Sequence, residues 1–268
     1  MRLATKGKRL VPELALMALM MWACTNMAWA NQVKQAKWQV KLGSALMTVD
    51  QPWKEVETQS AVAPFVMARY GNWSFGVDKL ARYQWRLADS TNVYTGLNLR
   101  DVGYRSSVSL FREKSTAEVF KGYRSPSAEL AAQIGMRWHL LAFEVERDVT
   151  GNSNSVATNL GLDLPLYRNQ SGLKVKANLA ASWLSQDYVN YYFGIDTQQE
   201  DVSLGRDRYQ TGDAINRVLS LDAMYPISTR WSMMFKLSTT RLDSNIANSP
   251  LVEKRTTNQA LLSVVYSF

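Results

Sequence analysis

The chain has 268 residues, a formal charge of +8, one histidine and one cysteine. Its apolar content of 46% and mean hydropathy of −0.23 are too low for a bundle of membrane helices. A lone cysteine excludes a disulfide framework, and a lone histidine leaves no Cys/His cluster for a metal.

Residues 1–30 read as a cleaved secretory signal. Arg2, Lys6, Lys8 and Arg9 form a basic start, "LALMALMMWA" (14–23) is apolar but too short to span a bilayer, and "AWA" (28–30) is a small-x-small cleavage site. An alternative makes Cys24 a lipidated cysteine after "MWA", which the bulk of Trp22 disfavours. Cleavage after Ala30 removes four basic residues and Glu13, so residues 31–268 carry +5 and no cysteine. A moderate positive excess outside the cytoplasm suits lipopolysaccharide or another anionic envelope polymer, and makes nucleic acid a poor partner.

From residue 37 onward the apolar residues recur at every second position. Trp38, Val40, Leu42 and Leu46 share one parity in the first segment; Leu130, Ala132, Ile134, Met136 and Trp138 do so further on. Leu173, Val175, Ala177, Leu179, Ala181 and Trp183 alternate with Lys174, Lys176, Asn178 and Ser182, and Trp231, Met233, Phe235 and Leu237 repeat the theme. A period of two is the signature of half-buried strands. Twelve are expected: 37–47, 59–69, 72–78, 80–88, 92–100, 128–138, 140–148, 156–166, 172–184, 214–225, 230–241 and 257–268. The pattern is least regular over 59–100, where strands three and four look short.

The connections alternate in length. Short ones fall at 70–72, 88–91, near 138–140, 167–172 and 226–230; long polar ones fall at 48–57, 101–127, 148–155, 186–213 and 242–256. Strands of about ten residues with short turns at one end and long loops at the other describe an antiparallel transmembrane β-barrel. An even strand number returns both termini to the short-turn side, which is periplasmic in such barrels. The chain therefore reads as all-β, one barrel domain over 31–268 in the outer membrane of a Gram-negative bacterium.

In such a barrel the apolar parity faces lipid and the polar parity lines the lumen. Aromatic residues cluster at strand ends (Trp38, Trp73, Trp138, Trp183, Tyr225, Trp231, Tyr266, Phe268), as interfacial girdles require. The polar parity carries both signs: Lys41, Arg82, Arg86, Arg137, Lys174, Lys176 and Lys236 with Glu144, Glu146, Asp163 and Asp222. Twelve strands enclose a lumen narrow enough for these side chains to meet, so they are expected to form a charge network that fills it. Structural filling is the plainer reading of such charges, ahead of a solute path.

Nothing in the chain specifies catalysis. His139 lies in an expected periplasmic hairpin, and the sequence suggests no serine and orienting group beside it. Glu144 and Glu146 share a face as glycosidase carboxylates do, but nearby cations make an ion network the simpler account. No nucleotide-binding glycine motif is present, and no cofactor is implied. The long loops 101–127 and 186–213 mix charge with aromatic residues and are long enough to carry function.

Three segments near the C-terminus carry a resemblance. "YVNYYFGID" (188–196), "YPISTRWSMMFKLSTTRL" (225–242) and "NSPLVEKRTTNQALLSVVYSF" (248–268) resemble the MipA/OmpV family of outer-membrane proteins. Tyr191, Tyr192 and Gly194 match that family's Tyr-Tyr-Gly strand end; Arg230 and Trp231 match its turn. Ser249, Pro250, Val252, Asn258, Gln259, Tyr266 and Phe268 match its Ser-Pro-Ile-Val segment, the Asn-Gln downstream and the terminal aromatic strand. The resemblance covers 188–268 firmly and 37–187 loosely. It implies a barrel without known catalysis. Its partners would be murein enzymes (a lytic transglycosylase and a murein synthase) or surface ligands. Tyr266 and the terminal Phe268 resemble the signal by which such barrels reach their assembly machinery. A small-solute channel is the rival function, and a lipid hydrolase using His139 a third.

Overall fold

The computed structural model describes residues 36–76, 79–104 and 115–268, and Trp38–Phe268 forms one compact unit. The proposed signal peptide lies outside the described residues. Twelve antiparallel strands close into a barrel: β1 (Trp38–Val49), β2 (Gln59–Tyr70), β3 (Trp73–Gly76), β4 (Lys79–Ala88), β5 (Thr91–Arg100), β6 (Glu129–Trp138), β7 (Leu141–Asp148), β8 (Val156–Arg168), β9 (Lys174–Leu184), β10 (Ala214–Pro226), β11 (Trp231–Arg241) and β12 (Thr256–Ser267). Each strand pairs with its sequence neighbours, and β1 pairs with both β2 and β12. The seam runs from Lys41 opposite Ser267 to Val49 opposite Gln259. Closure matters because an open edge would leave peptide groups unsatisfied in hydrocarbon. Gly43 is required at the seam: a Cβ there would stand 2.1 Å from the Val264 carbonyl oxygen.

The expected strand map holds to within two or three residues at the ends. The irregular region resolves into a four-residue β3 and a β4 of ten residues, with register shifts between Ser74 and Gly76 and between Arg86 and Ala88. β4 is therefore not short; its bulges blur the alternation that would have marked it.

Burial runs opposite to that of a soluble sandwich. Leu42, Val66, Leu97, Phe143, Leu160, Leu179, Leu219, Phe235 and Leu262 all point outward and are exposed. Aromatic residues gather at the short-turn rim in touching pairs. Trp38 meets Tyr70 (5.0 Å between centroids), Trp73 meets Tyr83 (5.0 Å), and Trp231 meets Tyr266 (5.1 Å). That apolar belt with an aromatic edge is what a bilayer demands of a barrel exterior. The inward parity holds Ala45, Ala63, Gln133, Glu146, Ser220 and Ser263, all buried.

At the other end the long loops fold over the mouth. Helix α1 (Gln186–Phe193) is capped by Ser185, whose hydroxyl accepts the Tyr188 N–H. Its buried face is Tyr188, Val189, Tyr192 and Phe193, a helical spacing within the segment expected to be an irregular loop. The Tyr-Tyr-Gly stretch is thus a helix and its C-cap, Gly194, and not a strand end. Eight residues are too few to hold a helix in water, so tertiary packing makes it. A 3-10 turn at Glu118–Phe120 and a short α2 (Ser244–Ala247) complete this cap.

Candidate functional site

The cap has an apolar core of its own, drawn from four loops. Trp53 stacks on Phe193 at 5.2 Å and meets Tyr104 and Phe120 edge-on. Ile195, Ile246, Leu251 and Val252 close around them, while the strand ends contribute Ala157, Leu184 and Ala214. Backbone bonds fix the loops: Trp53 bridges to Val252 in another loop, and Ile195 to Tyr209 within the α1 loop. The Ser249 hydroxyl donates to the Phe193 carbonyl at 2.7 Å. Buried Arg206 donates through Nη1 to the carbonyls of Val119 (2.7 Å) and Lys121 (2.9 Å), tying the α1 loop to the β5–β6 loop. Burial pushes the Tyr123 hydroxyl up to about 12 and raises Tyr188 and Tyr192 further still.

Beneath the cap the interior turns polar at once. The Tyr192 hydroxyl donates to Glu129 Oε2 at 2.7 Å, and Arg100 reaches that oxygen at 3.4 Å and the Ser155 hydroxyl at 2.8 Å. Arg100 also lies over the Tyr188 ring, 5.3 Å from its centroid. Both charges are buried, and Arg100 Nε and Glu129 Oε1 have no hydrogen-bond partner among the described residues. This latch joins α1 to the wall. Arg100 and Glu129 stand at the ends of β5 and β6, and nothing in the spacing of either strand marks them as partners of a tyrosine in a distant loop.

The charges expected in the lumen fall into two chains and a remainder. Arg82 pairs with Glu144 at 2.9 Å, donates to Gln133 at 2.9 Å, and covers Tyr94 at 4.0 Å. Gly135 makes room for that ring, since a Cβ would stand 2.4 Å from it. Glu146 accepts from Asn98 at 3.0 Å. Lower down, Asp163 pairs with Arg137 and Lys176 (both 3.2 Å), Lys176 with Asp222 (3.8 Å), and Asp222 with Lys236 (3.9 Å). Lys41, Arg86 and Lys174 join neither chain. They are exposed at the short-turn end and make no ion pair among the described residues, because water there solvates them.

His139 does have a serine beside it, against expectation: Ser90 Oγ lies 3.2 Å from Nε2 across two short turns. No carboxylate is hydrogen-bonded to His139 among the described residues. At the seam the Phe268 N–H donates to the Val40 carbonyl at 2.9 Å, and its ring meets Tyr266 at 4.8 Å. Arg230 donates to the Tyr266 hydroxyl at 2.8 Å.

The family model described as MltA-interacting protein MipA matches residues 42–268, from the first strand to the last residue. The chain belongs to that family. Within it, the chain is 24% identical over 243 residues to the MltA-interacting protein of Escherichia coli strain K12, covering 88% of this chain and 93% of the relative. It is 38% identical over 89 residues to outer membrane protein Omp26La of Vibrio anguillarum, covering 32% and 33% of the two chains. Among solved structures, a loop-deletion form of OmpT of Vibrio cholerae aligns over 87% of this chain and 99% of that one, at 7% identity and a TM-score of 0.38. The relatives are named as interacting or outer membrane proteins, not as enzymes. The closed barrel and its MipA-family membership place the protein in the outer membrane of a Gram-negative bacterium.

Proposed function

We propose that this MipA-family barrel is a non-enzymatic scaffold, set in the membrane with its short turns and termini toward the periplasm. There it engages murein-cleaving and murein-synthesising enzymes. The observation that carries the reading is the cap: an apolar core packed across one mouth is built for closure, whereas a porin keeps its lumen open to water. The relative named for its interaction with MltA points to a lytic transglycosylase as one partner. The free cations Lys41, Arg86 and Lys174 at the opposite mouth offer charge to acidic surfaces arriving from the periplasm. Tyr266 and Phe268 serve as the assembly signal in this reading. Deleting Phe268 lowers outer-membrane yield far more than deleting one residue of a long loop.

In-cell crosslinking with mass spectrometry tests the scaffold: it captures murein synthases or lytic transglycosylases, and capture of none would count against the role. Purified barrel in a planar bilayer shows no steady current. A sustained open conductance would establish the channel in the scaffold's place.

A further inference from the structure

The outer face of the barrel breaks its own rule at one place. Arg217 on β10 and Arg241 on β11 both lie on the outward parity, and the register sets them directly opposite each other. Their Cβ atoms are then about 4.5–5.5 Å apart, a pairing that repels when both carry the same charge. Both are exposed, and neither makes an ion pair among the described residues. Arg255, just before β12, lines the same rim pocket of about 190 Å³. Its guanidinium donates to Asn248 Oδ1 at 2.8 Å and meets no carboxylate among the described residues. Asp243 also lines that pocket, where its oxygens accept the N–H groups of Asn245 (2.9 Å) and Ile215 (3.1 Å), and its one negative charge leaves the three guanidiniums in excess.

Directly below, toward the membrane centre, the two arginines border an apolar groove of about 510 Å³. Leu141, Leu160, Leu179 and Leu219 form its sides, and Ala181, across from both Leu160 and Arg217, leaves the gap between them. Ordinary interfacial arginines cost a barrel little, because they reach for water. That accounts for one guanidinium at a rim. It does not account for two placed face to face with a third beside them, over a groove lined by leucine. Such a cluster is neutralised by a ligand carrying concentrated negative charge above and hydrocarbon below.

We propose that Arg217, Arg241 and Arg255, with the groove beneath them, bind one phosphorylated glycolipid of the outer leaflet. Its phosphates lie on the guanidiniums and one acyl chain lies in the groove. The groove crosses the outer wall from β7 to β11 and is lined mainly by apolar side chains, as an acyl chain requires, and the arginines stand at the long-loop rim, where that leaflet's phosphates lie. The leaflet assignment rests on the orientation proposed above. Labelling of Glu200→Cys in the α1 loop on intact cells reads that orientation separately.

Native mass spectrometry of the intact barrel, released from detergent after incubation with bisphosphorylated lipid A, tests the site. The wild type retains one lipid A, and the Arg217→Gln/Arg241→Gln variant retains at least tenfold less. Arg168→Gln, at the opposite rim, retains it normally. Ala181→Trp fills the groove without touching a charge and also loses the lipid, which keeps the test valid should the arginine variant fail to fold. Equal retention by wild type and both site variants overturns the proposal. So does equal retention of dephosphorylated lipid A, or of phosphatidylglycerol at the same concentration.

Discussion

The protein has two interiors a few ångströms apart, and they are made of opposite materials. The cap is a soluble-type core, with Trp53, Tyr192, Ile195, Ile246 and Leu251 almost wholly buried among other apolar groups. The lumen below it is a ladder of guanidinium, ammonium and carboxylate. The difference follows from what lies on the far side of each wall. Loops facing water must turn their apolar residues inward, as in any domain. Strands facing lipid have already committed those residues outward, and a period of two leaves only the polar parity for the inside. Arg100, Glu129 and Tyr192 form the join, where charges are buried but incompletely satisfied.

If the two interiors are separate, the cap should come apart without the barrel. Trp53→Ala removes the ring against which Phe193 stacks and which Tyr104 and Phe120 meet, at a cost of about 3–5 kcal/mol to the cap. The 186–213 loop should then be cleaved rapidly by protease, while the barrel keeps its heat-modifiable mobility on gels. Loss of both together would show that cap and wall fold as one unit.

Tyr192→Phe tests the join alone. It deletes a hydrogen bond to a charged, buried carboxylate, worth about 1.5–3 kcal/mol, and leaves the cap's ring packing intact. Hydrogen exchange should accelerate in α1 and not in β10–β12. An unchanged α1 would mean that ring packing, and not the latch, seats the helix.

Alkali sharpens the same contrast. Tyr123, Tyr188 and Tyr192 are raised above the ordinary tyrosine value chiefly by burial. An unfolded cap releases their protons near pH 10, whereas the folded cap holds them to about 12 and beyond. Their stabilising contribution is therefore complete below pH 10 and declines as pH rises through the folded values. Tyrosinate absorbance and loop cleavage should rise together above that point, ahead of any loss of strand signal by circular dichroism. Simultaneous loss would again fuse the two regions.

The smallest effect belongs to the lower lumen. Lys236→Gln breaks a 3.9 Å pair with Asp222 in which both partners are partly exposed, so it should shift thermal unfolding by no more than about 1 kcal/mol. A larger loss would mean that the lumen ladder is as tightly packed as the cap.

Alternation placed the strands, the lengths of the connections placed the long loops on one side, and the aromatic girdles with charges on the polar parity told the lipid face from the lumen. A lipid solvent imposes that pattern locally, on every second residue, whatever the rest of the chain does. The cap was not legible in the same way. Trp53, Phe120, Tyr192, Ile246 and Leu251 stand far apart in four polar-looking loops and share no period, so only barrel closure brings them together. The same holds for Arg217 and Arg241. Each reads as an ordinary basic residue near a strand end, and their confrontation exists only in the β10–β11 register. Sequence thus determined which solvent each residue meets, because that depends on position along its own strand. Tertiary structure decided which residues meet each other, because register and closure are set by the whole ring of strands.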